Sequence, residues 1–226
     1  QCPVALLATA GLDKIGIRVP AHKGAQMLLY AFGKPLAAPS ANPSGQISPS
    51  TADHVIHGLG EDVGFVLDGG PCESGLESTI IDCTGQNARL LRPGGITREA
   101  IATALSEAGH DPTITIAPPL DDRTKPIAPG QLKSHYAPRA TLRVAAKTWQ
   151  RGEEMIGFGE INGAGKLGLN LSPSGNLVEA AANLFSMLHA ADATSTEKIA
   201  VAPIPNTGLG EAINDRLLRA SAPRPD

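Results

Sequence analysis

The sequence predicts an α/β protein in two units joined by a proline-rich connector. Three observations carry this expectation. Short aliphatic and β-branched runs alternate with segments of helical periodicity up to residue 117. Prolines then crowd at positions 118, 119, 126, 129 and 138, in a stretch too long for an ordinary loop inside one domain. After Arg139 the alternation of strand and helix restarts, the pattern of a small parallel or mixed sheet covered by helices. The expected division is 1–117, a connector over 118–139, and 140–226.

Each element rests on a local signal. Residues 15–19 read as a short strand. Residues 21–32 read as a helix with Ala25, Leu28, Leu29 and Phe32 on one face, ended by Gly33. A small-residue strand at 36–38 enters the turn Pro39-Ser40-Ala41-Asn42-Pro43-Ser44-Gly45. Pro49-Ser50-Thr51 opens a helix that stops at Gly58, and 63–67 is a strand closed by Asp68-Gly69-Gly70-Pro71. Strands at 78–82 and 88–92 are joined through Thr84-Gly85-Gln86-Asn87. Thr97 caps a helix that runs to 108, where Gly109 ends it, and 113–117 is a strand. Beyond the connector, 141–145, 155–158 and 198–202 read as strands. Residues 177–190 form an amphipathic helix with Leu177, Ala180, Ala181, Leu184, Phe185 and Leu188 inward. A last helix over 211–220 turns Ile213 and Leu217 inward.

Composition excludes several function classes. The 226 residues can bury one large core or two modest ones. A formal net charge of −3 supplies no basic field for a nucleic-acid backbone, so no strong direct nucleic-acid binding is expected. Cys2, Cys72 and Cys83 are odd in number and lack metal-ligand spacing, which disfavours a disulfide framework or a zinc site and fits a reducing, cytoplasmic compartment. No apolar run is long enough to cross a membrane, and no basic-then-apolar signal opens the chain. The chain begins at Gln1, with Val4 to Ala8 apolar and no capping signal before them. An upstream part removed by processing or truncation is expected.

Some polar positions exceed what packing requires. Pro129-Gly130-Gln131-Leu132-Lys133-Ser134-His135-Tyr136-Ala137-Pro138 lies inside the connector, yet it gathers four side chains that donate hydrogen bonds, carry charge or stack on a ring. On this segment alone, a pocket wall and a polar linker fit equally. Ser40 and Asn42 sit in a turn at the carboxyl end of a predicted strand, where open α/β sheets bind ligands; an ordinary Asn-Pro turn explains that turn as well. Ser48 stands before a helix, a place that suits an anion or a simple cap. Ser78 and Thr79 open a strand. Arg18 and Arg92 end strands beside hydroxyl-rich turns and suit bidentate contact with a carboxylate or phosphate. His54 and His57 lie three apart without an evident third metal ligand, and Asp121-Asp122 reads as solubilising. No nucleophile with a paired base and no Walker-type loop is found, so no catalytic protein nucleophile is expected.

Taken together, Arg18-Val19-Pro20, Pro39-Ser40-Ala41-Asn42 with Ser44-Gly45, Gly75-Leu76-Glu77-Ser78-Thr79-Ile80, Leu91-Arg92-Pro93-Gly94, the Pro129 to Pro138 segment and Gly208-Leu209-Gly210-Glu211-Ala212-Ile213-Asn214-Asp215-Arg216-Leu217 resemble the two-domain YrdC-type threonylcarbamoyl-AMP synthases over nearly the whole chain. The resemblance implies a twisted mixed-sheet YrdC-like domain, incomplete here, followed by a small Rossmann-like α/β domain. It implies synthesis of L-threonylcarbamoyl-AMP from L-threonine, bicarbonate and ATP with release of pyrophosphate, for threonylcarbamoyladenosine formation on tRNA by a downstream transferase machinery.

Roles carried onto matching positions give Arg18 and Ser78, with a backbone contact from Ala38, to threonine. Lys14, Ser40, Asn42, Ser48, Arg92, His135 and Tyr136 go to ATP, the last two closing the connector over the nucleotide. Mg2+ is expected to travel on the ATP phosphates. The family's Lys-x-Arg motif and Thr-rich first strand are not present, so the chain as written is expected to be an inactive or nearly inactive fragment. Three alternatives stand beside the synthase: an RNA-binding YrdC-like module, another carbamoyl-adenylate chemistry as in hydrogenase maturation, and a degraded gene product with no activity.

Overall fold

The computed structural model describes residues 4–117 and 126–224. Cys2, Pro118, Pro119 and Asp121-Asp122 lie outside the described residues. Two small sheets organise the rest. In the first, β1 (Ile80–Asp82) pairs antiparallel with β2 (Ala88–Arg92), which pairs in parallel with β3 (Ile114–Ile116). In the second, β4 (Thr141–Arg143) and β5 (Glu153–Ile156) flank β6 (Lys198–Val201), all parallel.

Among the described residues five α-helices accompany them: α1 (Lys23–Phe32), α2 (Ala52–Leu59), α3 (Arg98–Glu107), α4 (Leu177–Ala193) and α5 (Leu209–Ala220). The caps explain several boundaries. The side chains of Thr51, Thr97 and Asn176 accept backbone N–H bonds at the starts of α2, α3 and α4, satisfying donors that a helix leaves open. Gly33 ends α1 in the left-handed region, and Gly60 rather than Gly58 ends α2.

The core belongs mostly to the second unit. Ala180, Ala181, Leu184, Phe185, Leu188 and Ala191 of α4 pack on Met155 and Ile156 of β5 and Ile199, Ala200 and Val201 of β6, and Ile213 and Leu217 of α5, which packs against α4, join the same cluster. At roughly 1.5–3 kcal/mol for each large apolar side chain, this layer supplies most of the hydrophobic stabilisation. All six buried α4 residues fall at helical spacing, so the periodicity expected there is the one that packs.

The first unit differs from expectation. Residues 15–19, 36–38 and 63–67 take no place in a ladder among the described residues, and Ile17, Val19, Phe65 and Leu67 are exposed. β propensity favours extended backbone, but a strand also needs a hydrogen-bonding neighbour. The apolar face of α1 is likewise uncovered: Leu28 and Phe32 are 47% and 52% exposed, and no residue of that helix is buried. Consequently the accessible surface is 14332 Å², against roughly 9,700 Å² for a compact chain of this size. Within residues 4–74 only Ile47, Ser48 and Ser50 are buried.

Those buried residues mark where the two units meet. Gly75 sits at φ +60, and a Cβ there would strike the backbone of Ala181 and Ala182 in α4, so only glycine allows this approach. His54 of α2 stacks on His189 of α4 at 4.0 Å between ring centroids, and His189 Nε2 lies 3.1 Å from the Ser48 carbonyl. The connector pairs back as well, with Ala137 N–H donating to the Gly45 carbonyl at 2.8 Å.

Candidate functional site

The antiparallel pairing of β1 and β2 builds the site. Its register sets Arg92 opposite Ile80, so the last residue of β2 lies beside the residues that lead into β1. The Arg92 guanidinium donates twice to the Ser78 carbonyl, from Nε at 3.2 Å and Nη2 at 2.8 Å, and once to the Pro129 carbonyl of the connector at 3.3 Å. An arginine at a strand end is commonly solvated, yet this one is only 8% exposed. Arg18 Nη1 reaches the Ser78 hydroxyl at 3.5 Å.

At the far end of β1, Lys14 pairs with Asp82 at 3.0 Å, and Arg89 meets the same carboxylate oxygen at 3.0 Å. Lys14 on Asp82 and Arg18 on Ser78 together show residues 14–18 running antiparallel beside β1, joined to it by side chains. Bonds from the Thr84 hydroxyl, Lys14 and the Thr84 N–H hold the Asp82 carboxyl well below the usual carboxylate range.

The connector roofs this region. Gln131 fixes its course: the side-chain oxygen accepts from the N–H groups of Ile127 and Ala128, both at 3.0 Å, and its amide donates to the Leu91 carbonyl of β2 at 3.2 Å. Gly130 at φ +78 lies against the Tyr136 hydroxyl and the Arg92 side chain. Tyr136 is 1% exposed, with its ring 5.7 Å from Phe185 and 4.1 Å from His135. Tyr136 Oη, His135 Nδ1 and Asn42 Oδ1 are buried polar atoms without a hydrogen-bond partner among the described residues.

Two charged residues that sequence reasoning left without a role stand at the centre. Glu77 accepts the Ser48 hydroxyl at 2.6 Å on one oxygen and Arg216 Nε at 2.7 Å on the other. Arg216 of α5 is fully buried; it also donates to Asp215 at 2.5 Å and to the Pro93 carbonyl at 2.9 Å, and it lies 5.1 Å from the Tyr136 ring centroid. Both residues lie inside the motifs quoted above, which is the signal that was available. Their pairing joins positions 139 apart in the chain and is visible only in space.

Ser48, Ser78, Arg18, Arg92 and Tyr136 thus fall in one contiguous network. His135 adjoins it through the Tyr136 ring. The Asn42 amide ties its own turn, donating to the Pro43 and Gln46 carbonyls at 3.0 and 3.1 Å. Lys14 lies at the other end of β1, and Ala38 and Ser40 are exposed on their loop, with no contact to the network among the described residues.

Charge balance follows burial. Burial pushes the Glu77 carboxyl up, but the Arg216 charge and the bonds from Ser48 and Arg216 outweigh it, so its pKa falls below the ordinary value. Burial lowers Arg92 and His135, and it raises the Tyr136 phenol. Arginine stays cationic through such a change, so the roofed region keeps a positive centre beside neutral donors. Among the described residues no group of three or more His, Cys, Asp or Glu is placed to hold a metal ion, and no helix is long and apolar enough to cross a membrane.

A mixed α/β protein with two small sheets, and with Arg92 and Arg216 buried beneath the connector, is the class this geometry defines. Comparison with known proteins is specific. The profile of the Sua5/YciO/YrdC family, described as telomere recombination, matches residues 2–94, and that of the threonylcarbamoyl-AMP synthase C-terminal domain matches residues 96–222. Threonylcarbamoyl-AMP synthase of Bacillus subtilis (strain 168) is 35% identical over 96% of this chain and 65% of its own length, and that of Pyrococcus abyssi is 36% identical over 96% and 66%. The crystal structure of P. abyssi Sua5 complexed with L-threonine superposes with a TM-score of 0.83 at 32% identity, covering 98% of this chain and 68% of that one. A P. abyssi Sua5 variant with a histidine and a tyrosine replaced by alanine gives a TM-score of 0.78 at 32% identity, covering 96% and 66%. The chain belongs to the two-domain, Sua5-type threonylcarbamoyl-AMP synthase family. It spans about two thirds of the length of the curated relatives it matches.

Proposed function

We propose that this protein makes L-threonylcarbamoyl-AMP from L-threonine, bicarbonate and Mg2+–ATP, releasing pyrophosphate, in the cytoplasm, and that a tRNA threonylcarbamoyl transferase machinery consumes the product. The observation that carries the reading is the buried Arg92, held between Ser78 and the connector beside the unpartnered Tyr136 hydroxyl. The relatives' name, threonylcarbamoyl-AMP synthase, supports the product of this reading. The RNA-binding alternative has no comparable support.

In this reading the amine of threonine takes up carbon dioxide or bicarbonate to form a carbamate. An oxygen of that carbamate attacks the α-phosphorus of ATP, and pyrophosphate leaves. No protein nucleophile is required, so the chain acts by positioning and charge stabilisation. Arg18 and Ser78, with the Ala38 backbone, hold threonine. Ser40, Ser48 and Arg92, with Asn42 shaping its turn and Lys14 at the margin, hold the nucleotide. The connector over 118–139 lies between a catalytic unit at 1–117 and an accessory unit at 140–226, and His135 and Tyr136 close it over the nucleotide.

The test is pyrophosphate release from ATP by the full-length protein, with and without threonine and bicarbonate. Release that needs both co-substrates is expected. Threonine-independent release, or none from well-folded protein, refutes the reading.

A further inference from the structure

Arg216 is a costly residue to bury. A cation removed from water loses several kcal/mol of solvation, and an apolar side chain of similar volume would fill the same space without that loss. Here the guanidinium spends its three nitrogens on three different elements: Glu77 before β1, Pro93 after β2, and Asp215 of its own helix. Its face lies over the connector's Tyr136. One turn later, Arg219 donates to Asp215 at 3.0 Å and to the connector's Leu132 carbonyl at 2.7 Å, while its own carbonyl accepts the His135 N–H at 3.2 Å. Helix α5 of the second unit therefore grips both the site wall and its roof.

The contact that matters for chemistry is the relay Arg216–Glu77–Ser48. Glu77 uses separate oxygens for the two partners, so the position of its carboxylate, set by Arg216, decides where the Ser48 hydroxyl points. Ser48 is buried on a loop between the Pro39 to Gly45 turn and α2, where only this bond fixes its rotamer among the described residues. An ion pair that is no better than an apolar contact for stability can still impose one geometry.

We propose that Arg216 of the C-terminal unit is a positioning residue for the nucleotide site, acting through Glu77 on Ser48. The proposal rests on the synthase reading, with Ser48 on ATP. It assigns the second unit an indirect part in ATP recognition, although none of its residues is given a substrate contact.

The test is a double-mutant cycle in the full-length protein, with dissociation constants for ATP and for threonine measured separately by calorimetry. Lysine keeps the charge but has no fork to reach three acceptors at once. Loss of a charge-assisted hydrogen bond predicts that Arg216→Lys weakens ATP binding about tenfold and changes threonine binding less than about twofold. Ser48→Ala weakens ATP binding by a similar factor, and the double variant is no weaker than the worse single one, because both changes break the same relay.

Glu77→Gln, which preserves shape and volume, repeats the ATP-selective loss and decides the matter if Arg216→Lys does not fold. Unchanged ATP affinity, equal losses for both ligands, or losses that multiply in the double variant overturn the positioning role. Wild-type protein that binds no ATP overturns the synthase reading itself, a distinct outcome.

Discussion

Gly130→Ala tests whether the connector's docked position serves nucleotide binding. Gly130 sits at φ +78 with the Tyr136 hydroxyl and Arg92 packed against the place a Cβ would occupy. Two costs arise in the docked state. The left-handed backbone is unfavourable for alanine by about 1–2 kcal/mol, and forcing a methyl group into a filled space adds about 1–3 kcal/mol. Tyr136, at 1% exposure, has nowhere to retreat. An undocked connector escapes both costs, because alanine there turns to negative φ and the crowding disappears. The docking equilibrium therefore shifts by about 2–5 kcal/mol, roughly thirtyfold to a few thousandfold.

Hydrogen exchange reads this directly at the amides of His135 and Ala137, whose bonds to the Arg219 and Gly45 carbonyls tie the connector to the two units. Their exchange should accelerate by at least about thirtyfold, with a parallel loss of ATP affinity. Gly33→Ala is the control: it has a similar φ of +69 but open space around it, so it leaves those amides unchanged. Unaltered protection at 135 and 137 in Gly130→Ala would refute the reasoning.

Arg92→Ala should raise the ATP KM at least about tenfold with a smaller effect on threonine, since it removes one of the two buried cations of the site, whereas Arg18→Ala should do the reverse; equal effects on both substrates in steady-state assays would sink the division of roles. Stability should fall in two stages on acidification. His54, His135 and His189 all have pKa values lowered by burial from the ordinary 6.5, so below that pH the unfolded chain takes up protons first and stability declines. The Glu77 carboxyl, lowered from 4.5, contributes stability above that value which is lost as the pH drops through its folded pKa and the Arg216 pair breaks. Thermal unfolding from pH 8 to 2.5 checks this, and a midpoint flat between pH 7.5 and 5.5 would contradict the histidine stage.

Local chemistry in the sequence determined a good deal. The caps Thr51 and Thr97, the stop at Gly33 and the stripe from Ala180 to Leu188 are short-range features, so helices α1 to α5 were legible within a few residues. So were β2, β6 and the family motifs. Tertiary structure alone decided three things. It left residues 15–19, 36–38 and 63–67 outside any ladder, because pairing depends on a neighbour and not on propensity. It buried Arg92, because the β1–β2 register brought the Ser78 carbonyl to it and the connector covered it. And it joined Glu77 to Arg216, since no periodicity in a chain encodes which distant charge will neutralise a buried one; only the packing of α5 against the strand ends of the first unit brings those two within 2.7 Å.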